Sequence, residues 1–178
     1  MIFEEKTISS EMLYEGKILN LRKDKVLAAG GQESYREIVE HRGGVTLAAI
    51  TNEGKMVMVK QYRKAAERAI LEAPAGLIDK GEEPLHAARR ELKEETGYTA
   101  EKMEYLSSFY SSVGYSEEII YLYLATGLLP GETEFDSNEA IEIFEYDLNE
   151  LKEMVLKGQI EDAKTIIAIL SAVVKMDI

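Results

Sequence analysis

The segment from Gly76 to Tyr98, Gly-Leu-Ile-Asp-Lys-Gly-Glu-Glu-Pro-Leu-His-Ala-Ala-Arg-Arg-Glu-Leu-Lys-Glu-Glu-Thr-Gly-Tyr, constrains the chain more than any other. Pro84 suits the first position of a helix, where its missing N–H costs nothing, and Gly97 suits the position just past the end. Between them lie about thirteen residues, mostly good helix formers. At about 100° per residue, Glu91 and Glu95 sit about 40° apart, and Glu94 lies about 60° to the other side of Glu91. Three carboxylates therefore share one arc beside the apolar stripe of Leu85, Ala88 and Leu92. Like charges at these spacings destabilise an isolated helix by a few tenths of a kcal/mol each. Arg89 and Arg90 offset part of that repulsion, and a bound divalent metal would offset the rest. The alternative is a plain solvated acidic face.

Composition narrows the partners. The chain has 178 residues, 33 Asp and Glu against 21 Lys and Arg, and a formal net charge of -12. That length suits one domain with a sizeable core. The charge argues against nucleic acid, which needs clustered Lys and Arg. An acidic protein acting on a phosphorylated small molecule would need metal ions and a few placed arginines. There are no cysteines, which excludes disulfides, thiol catalysis and Cys-ligated zinc and fits a reducing interior. The first residues lack a signal-peptide pattern. The apolar stretch from Ile166 to Val174 is too short to span a bilayer. These features point to a soluble cytoplasmic protein with no membrane partner.

Taken in order, residues 1–40 hold strand-like runs at Phe3–Ser10, Lys17–Asp24 and Ser34–Glu40, with a turn at Gly30-Gly31. Their alternation is too poor to build a core alone. Val45–Thr51 and Met56–Gln61 are continuous apolar runs joined at Gly54, which predicts a hairpin buried on both faces. After the acidic helix come strands at Tyr105–Ser111 and Ile119–Ala125, a polar loop over Gly127–Asn138, and a strand at Ile141–Tyr146. Asp147 caps a helix over Leu148–Lys157, closed by Gly158, and a last helix runs over Asp162–Lys175. The order predicts an α+β fold, a mixed sheet with helices packed on it.

The acidic segment resembles the Nudix box, Gly-x5-Glu-x7-Arg-Glu-U-x-Glu-Glu-x-Gly-U with U aliphatic. Every fixed identity is present, and only Tyr98, in the last U position, departs. Seven specified residues at about 0.07 each coincide by chance roughly once in 10^8 positions. Gln61-Tyr-Arg63, Glu72-Ala-Pro-Ala-Gly76, Gly114-Tyr-Ser-Glu-Glu118 and Asp162-Ala-Lys-Thr165 are similar to the ADP-ribose pyrophosphatase branch. The resemblance implies an α/β/α sandwich, residues 41–178 as the hydrolase domain, and residues 1–40 as antiparallel strands that reach across a homodimer. It also implies Mg2+-dependent (or Mn2+-dependent) hydrolysis of ADP-ribose to AMP and ribose 5-phosphate.

The resemblance assigns roles to particular residues. Glu91 and Glu95 are expected as metal ligands, Glu94 as a ligand or an acid beside them, and the Ala75 carbonyl as a further donor. Glu139, in the loop before the last strand, matches a metal-ligand position. Two residues earlier relatives often carry a glutamate base, but Ser137 stands here, and serine cannot be that base without a partner. Glu118, Asp136 and Glu134 are the substitutes, in that order. Val113 replaces a proline associated with ADP-ribose preference, so another nucleoside diphosphate sugar or a dinucleotide is the competing substrate. A Nudix domain that senses a ligand without cutting it is the competing class. Arg63 and Arg36 are the candidates for binding phosphate, since a planar guanidinium pairs two oxygens. The alternative for each is an exposed sheet-edge arginine. Leu77 and Glu118 are expected beside the substrate. Glu82 and Arg90 are expected to form an ion pair that orients the box loop, with Arg90 counted among the catalytic set. His41 and His86 are too few for a histidine metal site.

Overall fold

The computed structural model describes residues 2–133 and 140–178. Its contacts divide into two units, one formed by Met1–Gly43 with Tyr110–Ile119 and the other by Gly44–Phe109 with Ile120–Ile178. In the first unit, β1 (Lys6–Glu15), β2 (Leu19–Leu27) and β3 (Glu33–His41) form an antiparallel meander. Asp24 pairs with Ser10 on one side and Arg36 on the other. Gly30 and Gly31 turn β2 into β3 with φ of 89° and 78°, which glycine adopts without strain. The first two strands lie several residues later than the sequence pattern suggested. Poor alternation leaves strand ends to the pairing register, which local pattern does not see. Every residue of β1 is exposed, Ile8, Met12, Leu13 and Tyr14 included.

The second unit holds β4 (Gly44–Ala49), β5 (Lys55–Arg63), β6 (Arg68–Glu72), β7 (Ala75–Leu77), α1 (Pro84–Thr96), β8 (Thr99–Tyr110), β9 (Ile119–Leu129), β10 (Ile141–Asp147), α2 (Leu148–Leu156) and α3 (Ala163–Lys175). One mixed sheet has the order β7-β4-β9-β8, with β4 antiparallel to β7 and parallel to β9. The other has the order β10-β5-β6 and its pairs are antiparallel. The expected hairpin of Val45–Thr51 with Met56–Gln61 is therefore corrected. The turn at Gly54 exists, with φ of 79°, but only the isolated bridge Ile50–Met56 joins the two runs. Beyond it β4 and β5 enter different sheets. The reason lies in the runs themselves, which are apolar on both faces and so need cover on both.

That cover comes from helices. Val45, Leu47, Ala49 and Val57 pack with Ala87, Ala88 and Leu92 of α1. Ala48, Ile50, Met56 and Met58 pack with Leu148 and Leu151 of α2 and Ala168, Ile169 and Ala172 of α3. The result is the α+β architecture, with strands layered between helices. The helix after Asp147 is capped as expected, and Asp162, expected inside the last helix, caps it instead. Asp147 accepts from the N–H groups of Asn149 and Glu150, and Asp162 accepts from that of Thr165. The expected loop at Gly127–Asn138 begins later than its composition suggested. The strand β9 runs on to Leu129 because Leu128 is buried. Among the described residues, no helix is long and apolar enough to cross a membrane.

Candidate active site

Helix α1 begins at Pro84 and ends where Gly97 turns left-handed (φ 73°), its N–H reaching the Lys93 carbonyl at 2.8 Å. Ala87, Ala88 and Leu92 are buried and fix how the helix lies. That orientation carries two of the three arc carboxylates inward. Glu91 is 9% exposed and Glu95 5%, whereas Glu94 stays half-buried.

Burying like charges requires compensation, and Arg90 supplies much of it. Its Nε and Nη2 donate to the two Glu82 oxygens at 3.1 and 2.9 Å. Its Nη1 donates to Glu91 at 2.6 Å and Glu94 at 2.9 Å, and Nη2 also reaches the Leu77 carbonyl at 2.9 Å. The expected Glu82–Arg90 pair is present, and one guanidinium ties the box loop to two helix acids. The Glu82 hydrogen bond, foremost, holds the Arg90 pKa well above its ordinary value. In return, Arg90 holds the Glu82 carboxyl below the usual range. Leu77 meets this network through its backbone.

The other wall is the backbone of Ala75 and Gly76. Strand β7 places it there by pairing Gly76 with Val45 and Ala75 with Thr46. The Pro74 carbonyl accepts from the Leu47 N–H at 2.9 Å, and the Ala75 N–H donates to Glu95 Oε2 at 2.9 Å. A methyl group on Gly76 would sit 2.0 to 2.2 Å from the Glu91 carboxyl atoms. Gly76 is thus required by close approach, and both buried carboxylates lie against this strand.

Among the described residues, no three acidic or histidine side chains gather tightly enough to hold an ion by themselves. Arg90 occupies Glu91 and Glu94, and Glu95 is turned to the Ala75 N–H. The donors that remain at hand are carboxylates and a backbone carbonyl, all hard oxygens, which suit Mg2+ or Mn2+. The Ala75–Gly76 backbone against two buried carboxylates fits such an ion. Glu139, Asp136, Ser137 and Glu134 lie outside the described residues.

Arg63 ends β5, and its Nε and Nη2 donate to the two oxygens of Glu72 at 2.7 and 2.8 Å. Glu72 is 2% exposed. Burial works to raise its pKa, but the Arg63 hydrogen bonds and the Lys164 charge outweigh that and hold the carboxyl below its ordinary value. In the first unit, both Glu5 oxygens accept from Arg36. Glu118 lies 3.2 Å from His41 Nδ1, which also accepts from the Gly43 N–H at 3.1 Å. Val113 is exposed. The sequence pattern gave no role to Glu72, Lys164 or Thr165. The available signal was one acid in an otherwise apolar motif, Glu72-Ala-Pro-Ala-Gly76, and one base in a second motif, Asp162-Ala-Lys-Thr165.

Comparison with known proteins then identifies relatives. Residues 40–168 match the NUDIX domain family model, and residues 5–39 match the nucleoside diphosphate sugar hydrolase N-terminal domain. The chain is 48% identical over 170 residues to a methanol dehydrogenase activator of Bacillus methanolicus, covering 94% of this chain and 92% of that protein. It is 46% identical over 168 residues to an ADP-ribose pyrophosphatase of Bacillus subtilis (strain 168), covering 93% and 91%. A crystal structure described as an ADP compounds hydrolase superposes with a TM-score of 0.88 at 20% identity, covering 99% of this chain and 96% of that one. At that identity the likeness speaks for the fold.

Proposed function

The chain belongs to the NUDIX hydrolase family, and on that premise we propose that it cleaves the diphosphate of ADP-ribose to AMP and ribose 5-phosphate. Hydrolases of this family work with divalent metal ions, and Mg2+ is our assignment, with Mn2+ as its substitute. One observation carries the chemistry: two buried carboxylates, Glu91 and Glu95, packed on the Ala75–Gly76 backbone. The B. subtilis relative, an ADP-ribose pyrophosphatase, supports the substrate.

Glu91, Glu95 and the Ala75 carbonyl would hold the ion, with Glu94 and Glu139 beside them. When bound, the ion offsets the diphosphate's charge and lowers the pKa of a coordinated water. Arg90 keeps Glu91 and Glu94 in place and keeps Glu82 ionised. Arg63 is our first candidate for pairing phosphate oxygens, and Arg36, whose Nε and Nη2 already pair with Glu5, is the second. In the reaction a water oxygen bonds to one phosphorus and the bridging P–O bond breaks. The bridging oxygen stays on the other phosphate, and the water's proton passes to a carboxylate base. Glu118 is our first assignment for that base, ahead of Asp136 and Glu134.

The N-terminal match to a nucleoside diphosphate sugar hydrolase domain supports a second substrate, another sugar of that class. A binding-only role is disfavoured, because every acid of the box is kept. We further propose a homodimer joined through the exposed apolar residues of β1, among them Ile8, Met12 and Leu13. We place the enzyme in the cytoplasm, where a chain without cysteines loses nothing to the reducing conditions.

The test is a panel of ADP-ribose, ADP-glucose, NADH and diadenosine polyphosphates with Mg2+, read as AMP released. ADP-ribose should turn over fastest; a faster dinucleotide would reassign the substrate. For the base, Glu118→Gln and Asp136→Asn are compared across pH, and the true base is the one whose loss flattens the profile.

A further inference from the structure

Two motifs whose charged residues the metal cradle leaves unused meet in the second unit. Glu72-Ala-Pro-Ala75 ends β6, and Asp162-Ala-Lys-Thr165 begins α3. Lys164 Nζ donates to Glu72 Oε2 at 2.5 Å and is ion-paired with Asp162 Oδ2 at 3.0 Å. The Thr165 hydroxyl accepts from the Ala73 N–H at 2.8 Å and donates to Asp162 at 2.5 Å. The far side of Glu72 holds Arg63 through both carboxylate oxygens. A carboxylate that is 2% exposed is therefore clamped between two cations.

Arg63 is the member of this set that reaches outward. Its side chain is 41% exposed, against 16% for Lys164. It lines an open cavity of about 370 Å³, with Ile70, Glu72, Asp162 and Lys164 also in the wall, a size typical of ligand sites. A long side chain with that exposure ordinarily samples many rotamers, and ordering it on binding costs affinity. Here the fork is already fixed. The Glu72 pairing engages Nε and one Nη2 proton, which leaves the Nη1 edge for a second pair of oxygens. Glu72 stands three residues before Ala75, whose N–H donates to Glu95, so the clamp adjoins the metal cradle along the chain.

We propose that Glu72, braced by Lys164, is a positioning residue for the substrate. It fixes the Arg63 guanidinium so that its free edge meets the diphosphate. This deepens the hydrolase assignment and rests on it. A purely structural staple between β6 and α3 would have the same hydrogen bonds but a different kinetic signature.

A mutant cycle separates the two. Arg63→Gln, Glu72→Gln and the double variant are assayed with Mg2+ and ADP-ribose, alongside thermal melts and titration with ADP as a non-hydrolysed diphosphate probe. Each single change should raise KM about tenfold with kcat within about threefold, and the double should be no worse than the larger single, because one residue acts through the other. Lys164→Met, which keeps the Arg63–Glu72 pair, should raise KM less than Glu72→Gln does. A Glu72→Gln enzyme with KM within twofold of wild type, or a double variant whose losses multiply, overturns the proposal. If Glu72→Gln does not fold, Glu72→Asp keeps the charge and shortens its reach, and an unchanged KM there overturns it equally. Should wild type cleave no substrate in the panel, the hydrolase assignment fails by itself. ADP affinity then decides positioning: about tenfold weaker binding in the Glu72 variant supports it, and equal binding overturns it.

Discussion

Gly76→Ala is the change that most directly probes the cradle. The added methyl would lie 2.0 Å from Glu91 Cδ and 2.1 and 2.2 Å from its oxygens. Ordinary carbon contacts are about 3.5 Å, so the carboxyl must retreat by roughly 1.5 Å. It stands at the far end of a flexible side chain, so a rotamer change suffices and the backbone need not move. That rotation breaks the 2.6 Å bond to Arg90. Off-rotamer strain and one partly exposed ion pair together cost on the order of 1 kcal/mol, which lowers the melting midpoint by about 2–4 °C in a chain of this size. Catalysis should suffer far more, since a displacement of about 1 Å in reacting geometry costs about 10^2-fold. The assay pairs kcat/KM for ADP-ribose with calorimetric titration of Mn2+ and a thermal melt. The expected result is activity down by about 100-fold, weaker Mn2+ binding and a midpoint lowered by only about 2–4 °C. Activity within threefold of wild type would refute the placement of Glu91 at the reacting centre.

Further outcomes follow from single contacts. Glu95→Gln keeps an acceptor for the Ala75 N–H but removes the charge, and kcat should drop by roughly 10^3-fold, in line with losing a charge that stabilises the transition state; near-normal turnover would remove Glu95 from the metal set. Glu72 and Glu82 both have folded pKa values below the ordinary 4.5. Their stabilisation is therefore full above that value and is lost as pH falls through the lowered ones, while their arginine partners stay charged. Urea unfolding from pH 7 to pH 3 should show this decline, and Glu82→Gln should make it shallower. Leu151, fully buried between α2 and the sheet, should cost about 2–5 kcal/mol on truncation to alanine, with kcat of the folded fraction unchanged. Ile8→Glu, which puts a charge on the exposed face of β1, should shift sedimentation from dimer to monomer; a wild-type protein that sediments as a monomer would overturn the proposed assembly.

Much of this protein was legible in its residues, and the parts share a cause. Helix α1, its Pro84 start, its Gly97 stop and the common arc of Glu91, Glu94 and Glu95 all depend on neighbours within four positions, so the chain determines them locally. The cap at Asp147 is local in the same way. The apolar runs at Val45 and Met56 announced burial on both faces, but not which strands would lie beside them.

Tertiary structure decided the rest. Only packing sends β4 and β5 into separate sheets, because each needs a helix on its outer side. Only packing brings Lys164 to Glu72 across 92 positions, and Glu95 to Ala75 across 20. A sequence records which groups carry charge. Which of them lose their water, and which partner must then compensate, is set by the fold that removes it.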